Sequence, residues 1–251
     1  MKVLYLANNR IGLDCLKVLL DQGDTLAGLV VHPAAKGKFR DEILALASLP
    51  AERVFPGERV RAPEVESALA ALRPDAVLSV HFGYRIGAGV LGAARLGAFN
   101  LHPGYLPYNR GLYPNVWAIA EGTPAGVTLH RMDAGFDTGA VVAQRRVEVL
   151  PTDTGETLYH RLETEALVLF REAWPSVRAG SFRAVAQEAG GTSHTAKDLP
   201  GLDRLDPEAR MTVRELVDRL RARTFPPHAG CYLEEPSGRR IYLRLWLGES
   251  P

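Results

Sequence analysis

The chain has 251 residues, 30 Lys and Arg against 29 Asp and Glu, and a formal net charge of +1. With 46% hydrophobic residues, this composition excludes charge-driven disorder and a strongly basic nucleic-acid grip. No apolar run reaches the roughly 18 residues of a membrane-spanning helix. The two cysteines, Cys15 and Cys231, make neither a disulfide framework nor a zinc knuckle and predict a reducing, cytoplasmic setting.

In chain order, the run from Val3 to Ala7 is too short for a signal peptide and predicts a buried strand. Apolar residues at helical spacing follow (Ile11, Cys15, Leu16, Leu19, Leu20), and Gly23 marks the stop. Leu26 to Val31 is the second strand. Asp41 to Leu49 and Pro63 to Leu72 are helices, and Ala76 to Val80 is a strand after the breaker Pro74-Asp75. Ala98 to His102 is another strand. Val127 to Met132 and Ala140 to Val149 are two more, joined by a turn-rich stretch from Asp133 to Gly139. A long helix runs from Thr154 to about Val177, with a break expected near Trp174-Pro175. Gly190-Gly191 opens a loop-rich linker. The tail carries one amphipathic helix, Thr212 to Arg223, and strand-like runs near Cys231 and Ile241. The alternation predicts an α/β fold, a mostly parallel sheet with helices on both faces and a small C-terminal α+β appendage. Ligands of such sheets bind beyond the C-terminal strand ends.

Gly87-Ala88-Gly89-Val90-Leu91-Gly92 matches G-x-G-x-x-G. A dinucleotide site needs those glycines directly after a strand, with an acid about 20 residues on. Here Gly87 lies well past the end of its strand, and no Asp or Glu occurs from Ala76 to Ala120. Tight packing of a short helix explains the glycines better. The acid-free stretch holds His81, Arg85, Arg95, His102 and Arg110. It stands open between a site for an anionic ligand and pairing with distant acids.

Asn100-Leu101-His102-Pro103 ends a predicted strand, and period two places Asn100 and His102 on one face. An amide and an imidazole together can polarise a carbonyl and move a proton. Asp137 lies on a Gly-flanked loop, and a carboxylate beside an imidazole fixes its tautomer and favours its charged form. No Ser or Cys looks activated as a nucleophile, which argues against a covalent intermediate. The histidines at 32, 130, 160, 194 and 228 show no ligand spacing, so no metal is expected.

Asn100-Leu101-His102-Pro103, Leu106-Pro107, Arg110-Gly111 and Asp133-x-Gly135-x-Asp137-Thr138-Gly139 resemble the folate-dependent formyltransferase family. The resemblance covers roughly residues 1–180. It implies a Rossmann-like domain that passes a formyl group from N10-formyltetrahydrofolate, the co-substrate, to a primary amine. It makes Asn100, His102 and Asp137 the catalytic residues. It assigns Phe82, Gly83, Tyr84, Arg85, Ile86, Asp133 and Phe136 to the folate. The stretch Tyr108-Asn109-Arg110-Gly111, Pro114-Asn115-x-Trp117 and Thr224-Phe225-Pro226-Pro227 look most like the sugar-nucleotide (dTDP-amino sugar) branch.

On that likeness, residues 1–185 form the catalytic domain and 186–251 a small substrate-binding and dimerisation segment. Asn9, Arg10, Tyr105, Asn109, Arg110 and Phe225 face the acceptor, a nucleotide-linked amino sugar. A homodimer is implied, and neither nucleic acid nor membrane is an expected partner. The rivals are formylation of initiator methionyl-tRNA, hydrolysis of the formyl-folate, glycinamide ribonucleotide formylation and a non-catalytic binding module. The tRNA rival wants a basic tail, yet residues 200–251 hold nine Arg against eight Asp and Glu. Trp117 and Trp174 are expected in the core.

Overall fold

The computed structural model describes residues 1–248. Along the chain lie β1 (Lys2–Ala7), α1 (Asn9–Asp21), β2 (Thr25–Val31), α2 (Arg40–Ala47), β3 (Val54–Pro56), α3 (Pro63–Ala71), β4 (Ala76–Val80), α4 (Ala88–Gly92) and β5 (Gly97–His102). Then come β6 (Arg110–Gly111), α5 (Pro114–Ala120), β7 (Ala125–Arg131), β8 (Val141–Val147) and α6 (Gly155–Ala179). The tail holds β9 (Ser193–His194), α7 (Leu199–Asp203), β10 (Arg204–Leu205), α8 (Val213–Ala222), β11 (Cys231–Glu234) and β12 (Arg240–Leu243).

The central sheet has seven strands in the order β3-β2-β1-β4-β5-β7-β8. Pairs from β3 to β5 are parallel, and β7 runs antiparallel to β5. The fold is the Rossmann-like, mostly parallel sheet with a small C-terminal sheet that the patterning predicts. The short strand β3 carries too little pattern to be seen in the sequence. Its three residues are recruited by the edge of β2.

Contacts divide the chain into two compact units. The first comprises Met1–His102, Thr128–Gln144 and Ala166–Gln187. On one face of its sheet, Leu4, Leu6, Val30, Val77 and Ala98 bury against Val65 and Leu69 of α3 and Val90 of α4. On the other face, the Tyr5 hydroxyl donates to the Gly12 carbonyl in α1 across 2.6 Å. There Phe99 also meets Trp174 edge-on, with centroids 6.2 Å apart. Gly87 and Gly89 of the G-x-G-x-x-G stretch sit against Glu66, which accepts the Gly89 N–H at 2.8 Å.

Helix α6 does not break at Pro175, contrary to the sequence expectation. The missing N–H costs one hydrogen bond near the helix end, and a buried anchor offsets it. Asp24, 3% exposed, accepts from Trp174 Nε1 at 2.7 Å, from Arg178 Nε at 2.9 Å and from the chain's amino group at 2.8 Å.

The second unit comprises Pro103–Val127, Arg145–Glu165 and Glu188–Pro251. Helix α8 opens with a capping box between Thr212 and Glu215 and packs on α5. Arg221 donates to the carbonyls of Leu150 and Asp153, at 3.0 and 2.9 Å. The small sheet runs β10-β11-β12, leaving β12 at an edge. Among the described residues no helix is long and apolar enough to cross a membrane.

Candidate active site

The site forms at the end of β5, inside the first unit. Val80 pairs with Leu101, and Asn100 pairs with His130 of β7. Strand alternation sends Asn100 and His102 to one face. The antiparallel partner brings a third polar residue, His130, to the same place.

The loop between β7 and β8 supplies Asp137. Asp133 Oδ1 shapes that loop by accepting from Gly135 N at 2.9 Å and from the Thr138 hydroxyl at 2.6 Å. Gln187 Nε2 donates to the carbonyls of Asp137 and Gly139, at 2.7 and 2.8 Å. Gly139 has no room for a side chain, since a Cβ would lie 1.8 Å from the Arg131 carbonyl oxygen. Asp137 itself holds a left-handed φ of 54°. Non-glycine residues pay for that conformation, and such strain gathers at functional sites.

The three expected catalytic residues converge. Asn100 Nδ2 donates to Asp137 Oδ1 at 3.1 Å, and His102 Nδ1 lies 3.5 Å from Asp137 Oδ2. His102 has 5% and Asp137 15% of its side chain exposed, so water screens the pair little. His130, which the motifs do not single out, joins them. Its Nδ1 lies 2.8 Å from the Arg131 carbonyl, which can only accept, so Nδ1 carries a proton. Its Nε2 is 3.2 Å from Asp137 Oδ1 and 3.3 Å from Asn100 Nδ2. A proton on Nε2 favours Asp137, and a lone pair there favours the Asn100 amide. His130 thereby touches both Asp137 and Asn100. The signal in the sequence is its place in Val127 to Met132, one strand alternation from Thr128.

His81 follows β4, and its Nδ1 lies 3.2 Å from Asn9 Nδ2. Burial pushes the His81 imidazole down to about 4, and the neighbouring His102 adds to the shift. Arg10 pairs with Asp14 at 2.8 Å and lies over Phe39.

The loops assigned to the folate meet. Arg85 Nη2 donates to the Ala134 carbonyl at 2.5 Å, and its guanidinium lies 5.4 Å from the Phe136 ring centre. Phe136 is 60% exposed. Phe82, Tyr84 and His32 form a ring cluster, with centroids 4.8 to 5.5 Å apart. Burial holds His32 below the usual imidazole value. Ile86 packs in the core beneath this loop, while Gly83 N lies 3.4 Å from His32 Nε2.

Tyr105, Asn109, Arg110 and Phe225 belong to the second unit. Asn109 is buried there, and its amide donates to the Thr123 hydroxyl at 2.9 Å and the Pro124 carbonyl at 3.3 Å. That work shapes its loop. Tyr105 packs beside Gly126, and Arg110 Nη1 donates to the Gly190 carbonyl. Phe225 sits among the rings of Tyr159, His160 and His228. Trp117 is buried and stacked on His194, with centroids 4.0 Å apart, and Trp174 is fully buried.

Comparisons with known proteins find likenesses to formyltransferases. Residues 47–173 match the family described as formyl transferase, and residues 198–249 match the N-formyltransferase dimerization C-terminal domain. A dTDP-4-amino-4,6-dideoxyglucose formyltransferase from Mycobacterium tuberculosis (strain ATCC 25618 / H37Rv) is 35% identical over 175 residues, 70% of this chain and 74% of the relative. Among solved structures, the formyltransferase PseJ from Anoxybacillus kamchatkensis was crystallised with UDP-4,6-dideoxy-4-formamido-L-AltNAc and tetrahydrofolate. It is 30% identical, with a TM-score of 0.59 over 80% of this chain and 89% of that one. A 4-N formyltransferase from Francisella tularensis is 24% identical, with a TM-score of 0.87 over 99% and 98% of the two chains. That last likeness is one of fold.

Proposed function

Because the chain belongs to the formyltransferase family, we propose that it moves a formyl group from N10-formyltetrahydrofolate to the amine of a nucleotide-linked amino sugar. The observation that carries this reading is the convergence of Asn100, His102 and Asp137 within 3.1 to 3.5 Å at a strand end.

The folate supplies an activated formyl carbon on a nitrogen leaving group. The residues present fit such a ligand. Phe82, Tyr84 and the exposed Phe136 offer flat apolar faces for a fused ring, and Arg85 offers positive charge for an anionic tail.

The uncharged acceptor amine attacks the formyl carbon. An amide carries two N–H groups; Asp137 holds one, and Asn100 turns the other from His130 Nε2 to the developing oxyanion, worth about 3–4 kcal/mol where such donors have been removed. Asp137 holds His102 through Nδ1, which leaves Nε2 as the ring nitrogen that takes the amine proton. A positioned base of this kind contributes about 10²–10⁴-fold. Asp137 stabilises the resulting imidazolium and helps return a proton to the leaving nitrogen.

Residues 186–251 serve the acceptor and the assembly. The match to a dimerization domain and the exposed Ile241 and Tyr242 of edge strand β12, with exposed Trp246 just beyond it, support a homodimer formed through this segment. A cytoplasmic site of action suits the folate donor and the two buried thiols.

The test is incubation with N10-formyltetrahydrofolate and a panel of amines, read by mass spectrometry. Transfer to nucleotide-linked 4-amino or 3-amino sugars is the expected result. Transfer only to charged tRNA, or deformylation without any acceptor, overturns the proposal.

A further inference from the structure

Three strands end level with one another: Ala7 of β1 pairs with Val80 of β4, and Val80 pairs with Leu101 of β5. His81, just past β4, and His102, the last residue of β5, therefore lie at neighbouring strand ends, and His102 acts electrostatically on His81. Two imidazoles this close do not both take a proton cheaply. Asp137 and His130 face His102 from β7 and the loop after it. His102 and Asn9 face His81 from β5 and from the start of α1.

The contact with Asn9 suits the neutral form of His81. Asn9 Nδ2 can only donate, so the contact at 3.2 Å requires a lone pair on His81 Nδ1. His81 in that pairing is a neutral ring with its proton on Nε2. Burial acts in the same direction, holding the ring at about 4. Asn9 and His81 both adopt left-handed backbone, with φ of 65° and 50°. Two strained residues meeting across a strand end are costly to maintain without a use.

We propose that the Asn9–His81 pair is a positioning device for His102: it fixes an uncharged imidazole just past the end of β4, so that the proton leaving the amine is held by His102 and Asp137 alone. The N–H bond of the attacking amine breaks, the N–H bond of His102 Nε2 forms, and His81 neither gains nor loses a proton. This inference deepens the formyl-transfer reading and rests on it for its catalytic consequence. Its electrostatic core concerns only the resting protein.

The test is side-chain ¹⁵N NMR of the full-length protein, with His81 and His102 assigned by single variants. Wild-type His81 is expected as the Nε2–H tautomer, neutral down to about pH 5. Asn9→Asp replaces the donor with a carboxylate, so His81 is expected to take a proton near neutral pH and to lower the His102 midpoint by about one unit. The acid limb of kcat/KM should shift with it, and kcat should fall about tenfold. His81→Gln, neutral and able to bond Asn9, should leave the acid limb of kcat/KM unshifted. A wild-type His81 that titrates near 6.5, or a His102 midpoint indifferent to Asn9→Asp, overturns the inference. Wild-type protein that transfers no formyl group contradicts the functional reading instead, while the NMR result stands by itself.

Discussion

The side-chain amide of Asn100 donates to Asp137 Oδ1 across 3.1 Å, although 37 residues separate the two in the chain. That bond joins the proposed oxyanion donor to the carboxylate that orients His102. Changes at Asp137 should therefore act on both partners at once. Asp137→Asn keeps the loop, because Gln187 grips its backbone rather than its side chain. The variant should fold with unchanged circular dichroism and lose about 10²–10⁴-fold in kcat, read in a single-turnover assay. Turnover within a few-fold of wild type would remove Asp137 from the mechanism.

The loop that carries Asp137 depends on Gly139. A Cβ placed 1.8 Å from the Arg131 oxygen cannot be accommodated by a rotamer change, since the obstacle is backbone. Gly139→Ala should destabilise by about 1–3 kcal/mol in a urea titration and should cost activity at temperatures where the protein stays folded. A neutral effect on both would show that the loop has a second arrangement.

Asp24, just before β2, is a second buried carboxylate, and its role is structural. It satisfies a buried indole N–H, an arginine and the terminal amine together. Asp24→Ala strands all three donors. The expected loss is about 3–5 kcal/mol, measured by chemical denaturation, with little change in KM.

Stability should fall with acid through His81. Its folded value of about 4 lies below the value of about 6.5 for an unfolded imidazole. Between those two pH values the unfolded chain binds more protons, so the stabilising contribution is present above about 6.5 and is lost as pH falls toward 4. His81→Gln has no such group. The stability of wild type relative to His81→Gln should drop by about 2–3 kcal/mol from pH 7 to pH 4. A pH-independent difference would show that His81 is protonated equally in both states.

Local pattern carried most of this structure. The strand ending in Asn100 and His102 was legible from alternation, and so was its place at the ligand edge of a parallel sheet. Asp137 could be tied to that strand end only by resemblance, because nothing local specifies which loop returns to a given strand. His130 was missed because the antiparallel register of β7 on β5, which sets it opposite Asn100, is a long-range fact. The continuity of α6 through Pro175 was misjudged for a similar reason: the buried Asp24 that anchors Trp174 lies 150 residues away. Asn109 is expected to face the acceptor, and its amide also bonds Thr123 and Pro124, contacts that no local pattern specifies.

The most direct measurement is product analysis with isotopically labelled formyl-folate and a nucleotide-linked amino sugar, comparing wild type with His102→Asn. Label appearing as an amide on the sugar with wild type, and falling by at least 10² with the variant, is the predicted result. Equal label transfer by both proteins, or label released as formate with none on the sugar, would contradict the proposed centre.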